Sequence, residues 1–129
     1  LYAVDLANRN IKIFKQVAAR YSRDYPSFEY DTTWTNLGGP LDIIISENAA
    51  WVTDREPSKI VQFHLDGSRA YTWLLPKEGP DFWTEMHSLT VDHNGVLYGA
   101  DNQAARLQKM VPRPDADSSL TVGQPFIAQ

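Results

Sequence analysis

Three stretches decide the fold: Leu1-Tyr-Ala-Val-Asp5, Ala50-Trp-Val-Thr-Asp54 and Leu97-Tyr-Gly-Ala-Asp101. They superimpose without a gap. Each is followed, after four residues, by a second stretch: Asn10-Ile-Lys-Ile-Phe14, Lys59-Ile-Val-Gln-Phe63 and Arg106-Leu-Gln-Lys-Met110. The aspartates lie 49 and then 47 residues apart. Self-similarity at a period in the forties marks a stacked-repeat architecture, in which one unit cannot bury both of its faces alone.

Each unit reads as short strands. Tyr2, Trp51 and Tyr98 sit in β-favouring runs. The second stretches alternate imperfectly, with Ile60, Val61 and Phe63 close together, which predicts a bulge or a strand buried on both faces. A further strand precedes the second and third units, at Asp42–Ser46 and Ser88–Asp92, and another follows the first two, at Ser27–Trp34 and Arg69–Leu74. Asn94-Gly95 predicts a two-residue hairpin turn with both residues at positive φ. A short helix is conceivable only near Gln16–Arg23.

Four antiparallel strands per unit at this period is the arithmetic of a β-propeller blade. The expected fold is therefore all-β, with about two and a half blades. Residues 1–39 form a blade lacking its inner strand, 40–85 a complete blade, and 86–123 the last blade and a closing tail. So few blades do not close a ring. The expectation is a piece of a longer propeller, or one share of a ring built from several copies.

Composition agrees with a single globular unit. The chain has 129 residues, 43% hydrophobic and 22% charged, with no cysteine. A net charge of −4 from 12 basic and 16 acidic residues argues against a nucleic-acid or membrane-surface patch. No apolar run reaches the roughly 18 residues of a helical membrane span. Without cysteine there is no thiolate nucleophile and no disulfide from which to read a compartment.

Two blade entries resemble NHL repeats. One is His87-Ser-Leu-Thr-Val-Asp92 with Gly95–Asp101 and Arg106–Met110. The other is Pro40-Leu-Asp-Ile-Ile-Ile-Ser46 with Ala50–Asp54 and Ile60–Phe63. Within that class the sequence is similar to the peptidyl-α-hydroxyglycine α-amidating lyases and their bacterial relatives. The shared features are the Pro-x-Asp and His-Ser-Leu entries and the tail Lys109–Asp117 with Leu120–Gly123. The resemblance implies the C-terminal half of a six-bladed ring, an extracellular or periplasmic location, and a zinc at the channel mouth. Histidines at the position of His87 would be its ligands. A small molecule or peptide would bind at the channel, with lyase or hydrolase chemistry. The family also places a tyrosine two residues after the blade aspartate; here Ala7, Glu56 and Gln103 stand there instead. That departure supports the alternative of a non-catalytic binding or scaffold propeller.

The residues themselves admit these roles. His87, at an inner-strand entry, can supply one of three imidazole-type zinc ligands. His64 and His93 are too far along the chain's strands to join it and are expected at the surface. The other ligands must come from further blades or a second copy. Asp42, near the same rim, can orient a ligand or a metal-bound water, or simply accept backbone N–H bonds at its loop–strand junction. Glu56 can act as a base. Arg55 and Asn102 sit in loops on the channel face, and Trp83, close to His87, can line the mouth. Asp5, Asp54 and Asp101 recur in every unit, which argues for capping the following loop rather than chemistry. Calcium is less expected than zinc, because no Asp-x-Asp-x-Asp-Gly loop is present. The aromatics Tyr30, Trp34, Tyr71 and Trp73 recur at one register and are expected to pack between neighbouring blades.

Overall fold

A computed structural model describes residues 1–18, 26–47, 49–80, 82–111 and 113–115. Among the described residues ten strands form three antiparallel sheets. Sheet 1 runs β1 (Tyr2–Asp5), β2 (Asn10–Val17), β3 (Ser27–Trp34). Sheet 2 runs β4 (Pro40–Ser46), β5 (Ala49–Arg55), β6 (Ser58–His64), β7 (Arg69–Leu74). Sheet 3 runs β8 (Met86–Val91), β9 (Leu97–Asp101), β10 (Arg106–Met110). Among the described residues there is no helix, and the three sheets do not close into a ring. Gln16 and Val17 belong to β2, so the short helix expected there does not begin at them; 19–23 lie outside the described residues.

The sheets are stacked, and the middle one serves two cores. Consecutive residues of a strand point to opposite faces. In β5, Ala50 and Val52 therefore join the core shared with sheet 1, while Trp51 joins the core shared with sheet 3. Ile60 and Val61 of β6 divide in the same way, as do Ile44 and its neighbours Ile43 and Ile45 in β4. The unbroken apolar runs are thus strands between two layers, which have no solvent face to alternate towards. Every residue of β6 but His64 is buried. Bulges also occur, between Ile13 and Phe14 of β2 and between Gln62 and Phe63 of β6.

Tryptophans lock the layers together. Trp34, on the outer strand of sheet 1, stacks on Phe63 of sheet 2 at 5.3 Å and 23°. Trp73 stacks on Trp51 at 4.9 Å, inside the core that sheet 2 shares with sheet 3. Tyr30 and Tyr71 differ from this packing and are exposed. Tyr30 lies beside Phe14 of β2 and Tyr71 beside Trp73, and the Tyr30 hydroxyl is hydrogen-bonded to that of Thr33 at 2.9 Å.

The Asn94-Gly95 turn is not the expected two-residue type. The last ladder pair is Val91 with Leu97, and only Gly95 has positive φ. The Asp92 carboxylate explains the longer loop. It accepts the N–H groups of Asn94 (2.8 Å) and Val96 (3.1 Å) and the Tyr98 hydroxyl (3.1 Å). A side-chain acceptor competes with the tight turn by satisfying the same backbone donors.

Candidate functional site

The three recurring aspartates organise one end of the stack. Asp54 is 1% exposed and accepts the N–H groups of Gly38 (2.8 Å) and Gly39 (2.6 Å), with Lys59 Nζ at 3.0 Å. Asp101 does the same for Thr84 N–H (2.9 Å) and Glu85 N–H (3.2 Å), and also accepts from the Thr84 hydroxyl. Capping of the following loop is present as expected: Asn8, Glu56 and Ala104 donate to Asp5, Asp54 and Asp101. The larger role differs from that expectation. Asp54 and Asp101 tie the segment that enters their own sheet to the turn between its second and third strands. Gly38 is needed for this approach, because a Cβ there would lie 2.2 Å from the Glu56 carbonyl oxygen.

These carboxylates also set an acid limit. Hydrogen bonds from Lys12 and Asn8 hold Asp5 down at about 2. Burial pushes the Asp101 carboxyl up, but the Thr84 hydroxyl and the N–H groups of Thr84, Glu85 and Ala104 outweigh it, and its pKa is lowered. Both groups are charged in the folded state below the ordinary aspartate value of about 3.9. Their contribution is therefore complete above that value and is lost as pH falls through the folded pKa. The expected result is a urea midpoint that is level from about pH 7 to 5 and falls from about pH 4 towards 2. Asp101→Asn should start lower and fall less; an equal acid slope in the variant would refute the assignment.

Around this end the turns carry a line of alternating charge. Arg9 lies 3.3 Å from Glu56, Glu56 lies 3.6 Å from Arg55, Arg55 lies 4.0 Å from Glu85, and Gln103 donates to Glu85 at 3.3 Å. Arg9 belongs to sheet 1, Arg55 is the last residue of β5 and Glu56 opens the turn after it, and Glu85 and Gln103 lie in the loops of sheet 3. The line therefore crosses all three sheets. Arg55 and Glu56, singled out from sequence, do meet. Asn102 sits exposed in the β9–β10 turn, where its carbonyl accepts Ala105 N–H at 3.4 Å.

Asp42 and His87 lie at the same end. Asp42 Oδ1 accepts the N–H of Ile43 (2.9 Å) and Oδ2 that of Leu89 (3.0 Å), so this carboxylate fastens β4 to β8 across the sheet interface. The β8–β9 register shifts between Met86 and Ser88, which leaves His87 at the irregularity. Its side chain is exposed, and its carbonyl accepts the Thr53 hydroxyl at 3.5 Å. The position matching His87 in sheet 2 is Leu41, beside the equivalent shift at Pro40 and Asp42. Trp83 does not face a mouth. It is 5% exposed in the core, and its ring lies where a Cβ on Gly99 would fall, 2.6 Å away.

Among the described residues no three His, Cys, Asp or Glu side chains are grouped so that they could hold a metal ion. His87 lacks companion ligands there, so these residues by themselves do not fit a zinc. Nor is any described helix long and apolar enough to cross a membrane. Arg9 and Glu85 were not legible as site residues. Arg9 follows the repeat's first aspartate by four residues, and Glu85 precedes His87 by two, signals visible only once the turns are known to share one rim. No protein-family model, curated protein or solved structure matches the chain.

Proposed function

We propose that this chain is part of an NHL-type β-propeller whose loops bind a small polar molecule or peptide at one rim, without catalysis by this segment. The carrying observation is the line from Arg9 through Glu56, Arg55 and Glu85 to Gln103, held at the end where Asp42 and His87 lie. The repeat and the stacking of its sheets support the propeller. Arg55 touches its two carboxylates only loosely, at 3.6 and 4.0 Å, and its side chain is 40% exposed. A guanidinium has five donors in a planar fork, so Arg55 keeps donors for a ligand carboxylate. Glu56, 47% exposed, offers acceptors beside it for an amide or ammonium group, while the largely buried Glu85 holds Arg55 from the other side. A peptide carries both kinds of group. The absence of the family's tyrosine at Ala7, Glu56 and Gln103 favours binding over lyase chemistry.

The test is calorimetric titration of the complete protein with short peptides bearing free carboxylate termini. Arg55→Ala should weaken binding at least tenfold. It should leave thermal stability nearly unchanged, because exposed ion pairs contribute about 0–1 kcal/mol. Equal affinity of wild type and variant overturns the reading, as does turnover of an α-hydroxyglycine peptide by the purified protein.

One observation favours a second, metal-assisted reading. The His87 imidazole is exposed at the inner-strand entry and bonds to no other described residue. It is thus available as one ligand of a zinc completed by side chains outside the described residues. Zinc would supply Lewis acidity there; His87 would only bind and orient it. Metal analysis of the complete protein should then find zinc in wild type and lose it in His87→Ala. Full zinc content in the variant removes this reading.

A further inference from the structure

A cavity of about 240 Å³ opens between sheets 1 and 2. Its walls are the end of β3 with the segment that leaves it, and the end of β6 with the turn into β7. Every lining residue is described, and none belongs to the line from Arg9 to Gln103. At about 30 Å³ per molecule the space equals roughly eight waters. That is below the range of about 300–1,000 Å³ typical of drug-sized ligands, so an occupant is a single small unit.

The floor carries a donor without an acceptor. Trp34 is 4% exposed, yet its indole N–H bonds to no described residue. A buried indole N–H normally finds a partner, and it can only donate. Gly67 leaves it uncovered. A Cβ at that position would lie 2.3 Å from Trp34 Nε1, so any side chain there would block the N–H at the cavity wall. The turn itself also favours glycine, because φ is 89° at Gly67. The indole's missing acceptor is a separate observation that the turn does not explain.

The entrance is polar and balanced in charge. Arg69 donates through one terminal nitrogen to the Asn36 carbonyl, and its guanidinium carbon lies 5.7 Å from the centre of the Phe63 ring. It forms no ion pair among the described residues, although Asp66 lines the same cavity. Asp66 takes the Ser68 N–H (2.8 Å) and hydroxyl (2.6 Å) on Oδ1, which leaves Oδ2 for a ligand. Thr35 and Asn36 are exposed beside them, and their side chains bond to no described residue.

These groups select among ligands. A bare anion would meet Asp66, and a bare cation would meet Arg69. An apolar molecule would strip water from polar groups and replace none of their bonds. An amino acid would use the two charges alone, leaving the indole, the threonine hydroxyl and the amide without a role. A monosaccharide carries several hydroxyls on one ring, each both donor and acceptor, and engages all of them. We propose that this cavity is a monosaccharide-binding site. The Trp34 indole and Arg69 donate to sugar oxygens, and Asp66 accepts from sugar hydroxyls. The proposal does not rest on the rim ligand.

The test is an NMR titration of the complete protein, with isotopically labelled indole nitrogens, against glucose, galactose, mannose, N-acetylglucosamine and xylose in turn. The resonance lost in Trp34→Phe identifies the Trp34 indole. At least one sugar should shift that resonance saturably, at concentrations reaching well above a Kd of about 1 mM. Arg69→Ala and Asp66→Asn should each weaken that sugar at least fivefold; the second variant keeps an acceptor for the Ser68 N–H. Lys77→Ala, in the exposed loop after β7, should not weaken it. Circular dichroism checks that each variant keeps its sheets. No saturable shift with any of these sugars, wild-type affinity in both Arg69→Ala and Asp66→Asn, or a shift of the Trp34 resonance by glycine or serine but by no sugar would each overturn the proposal. None of these results touches the rim reading, since Arg55 lies outside the cavity.

Discussion

Replacing Asp54 with alanine should lower stability by about 3–5 kcal/mol, the cost of breaking a buried ion pair from one side. The carboxylate is almost wholly enclosed, and so is its partner: the Lys59 side chain is 9% exposed. Lys59 retains the carbonyls of Glu56 (2.9 Å) and Pro57 (3.3 Å), but no described carboxylate replaces its lost counter-charge. The N–H groups of Gly38 and Gly39 lose their acceptor as well. Asp5→Ala is the matched comparison. Its ion pair with Lys12 is short, 2.7 Å, yet the Lys12 side chain is 41% exposed, and water replaces much of what is removed. Its effect should be clearly smaller than that of Asp54→Ala. Urea unfolding at neutral pH separates the two; equal losses would show that burial does not set the value of these aspartates.

Trp34→Ala should cost a similar amount, about 3–5 kcal/mol, the usual range for truncating a buried large aromatic. Trp34 is 4% exposed and is wedged between Phe63 of sheet 2 and Tyr2 of its own sheet, at 5.3 and 5.4 Å. Gly67 touches it from the β6–β7 turn: a Cβ there would fall 2.3 Å from Trp34 Nε1. Backbone on that side limits how far the site can collapse, and cavity cost grows when collapse is incomplete. Tyr30→Ala, on the same strand but exposed, should cost about 1 kcal/mol or less. Because Trp34 joins sheets 1 and 2, its loss should also raise hydrogen exchange in β1 and β2 ahead of β8 and β9. Uniform exchange across all three sheets would contradict that order.

The two tryptophans and the two tyrosines show how far a one-dimensional reading reaches. All four lie on outer strands, but only the tryptophans share a register, opposite Ile11 and Ile60; Tyr30 stands opposite Phe14 and Tyr71 opposite Gln62, which are not equivalent positions. Which of them is buried depends on where the neighbouring sheet ends, and that is a property of the stack. Trp83 makes the same point for the site. Proximity to His87 in sequence suggested a mouth residue. The close approach permitted by Gly99 draws the ring into the core instead.

Strand order, the three-unit period and the double burial of β6 were all determined by the linear sequence, because each follows from side-chain type at fixed spacing along a strand. The expected bulges have the same origin. The rim was decided by tertiary structure. Arg9, Arg55, Glu56 and Glu85 are spread over 77 positions from first to last, and nothing in their spacing pairs them. They meet because three sheets place equivalent turns side by side, and Coulomb attraction acts through space rather than along the chain. The second task of Asp54 and Asp101 belongs to the same class. Their donors lie 15–17 residues away, brought near only when the entering segment folds back beside its own sheet.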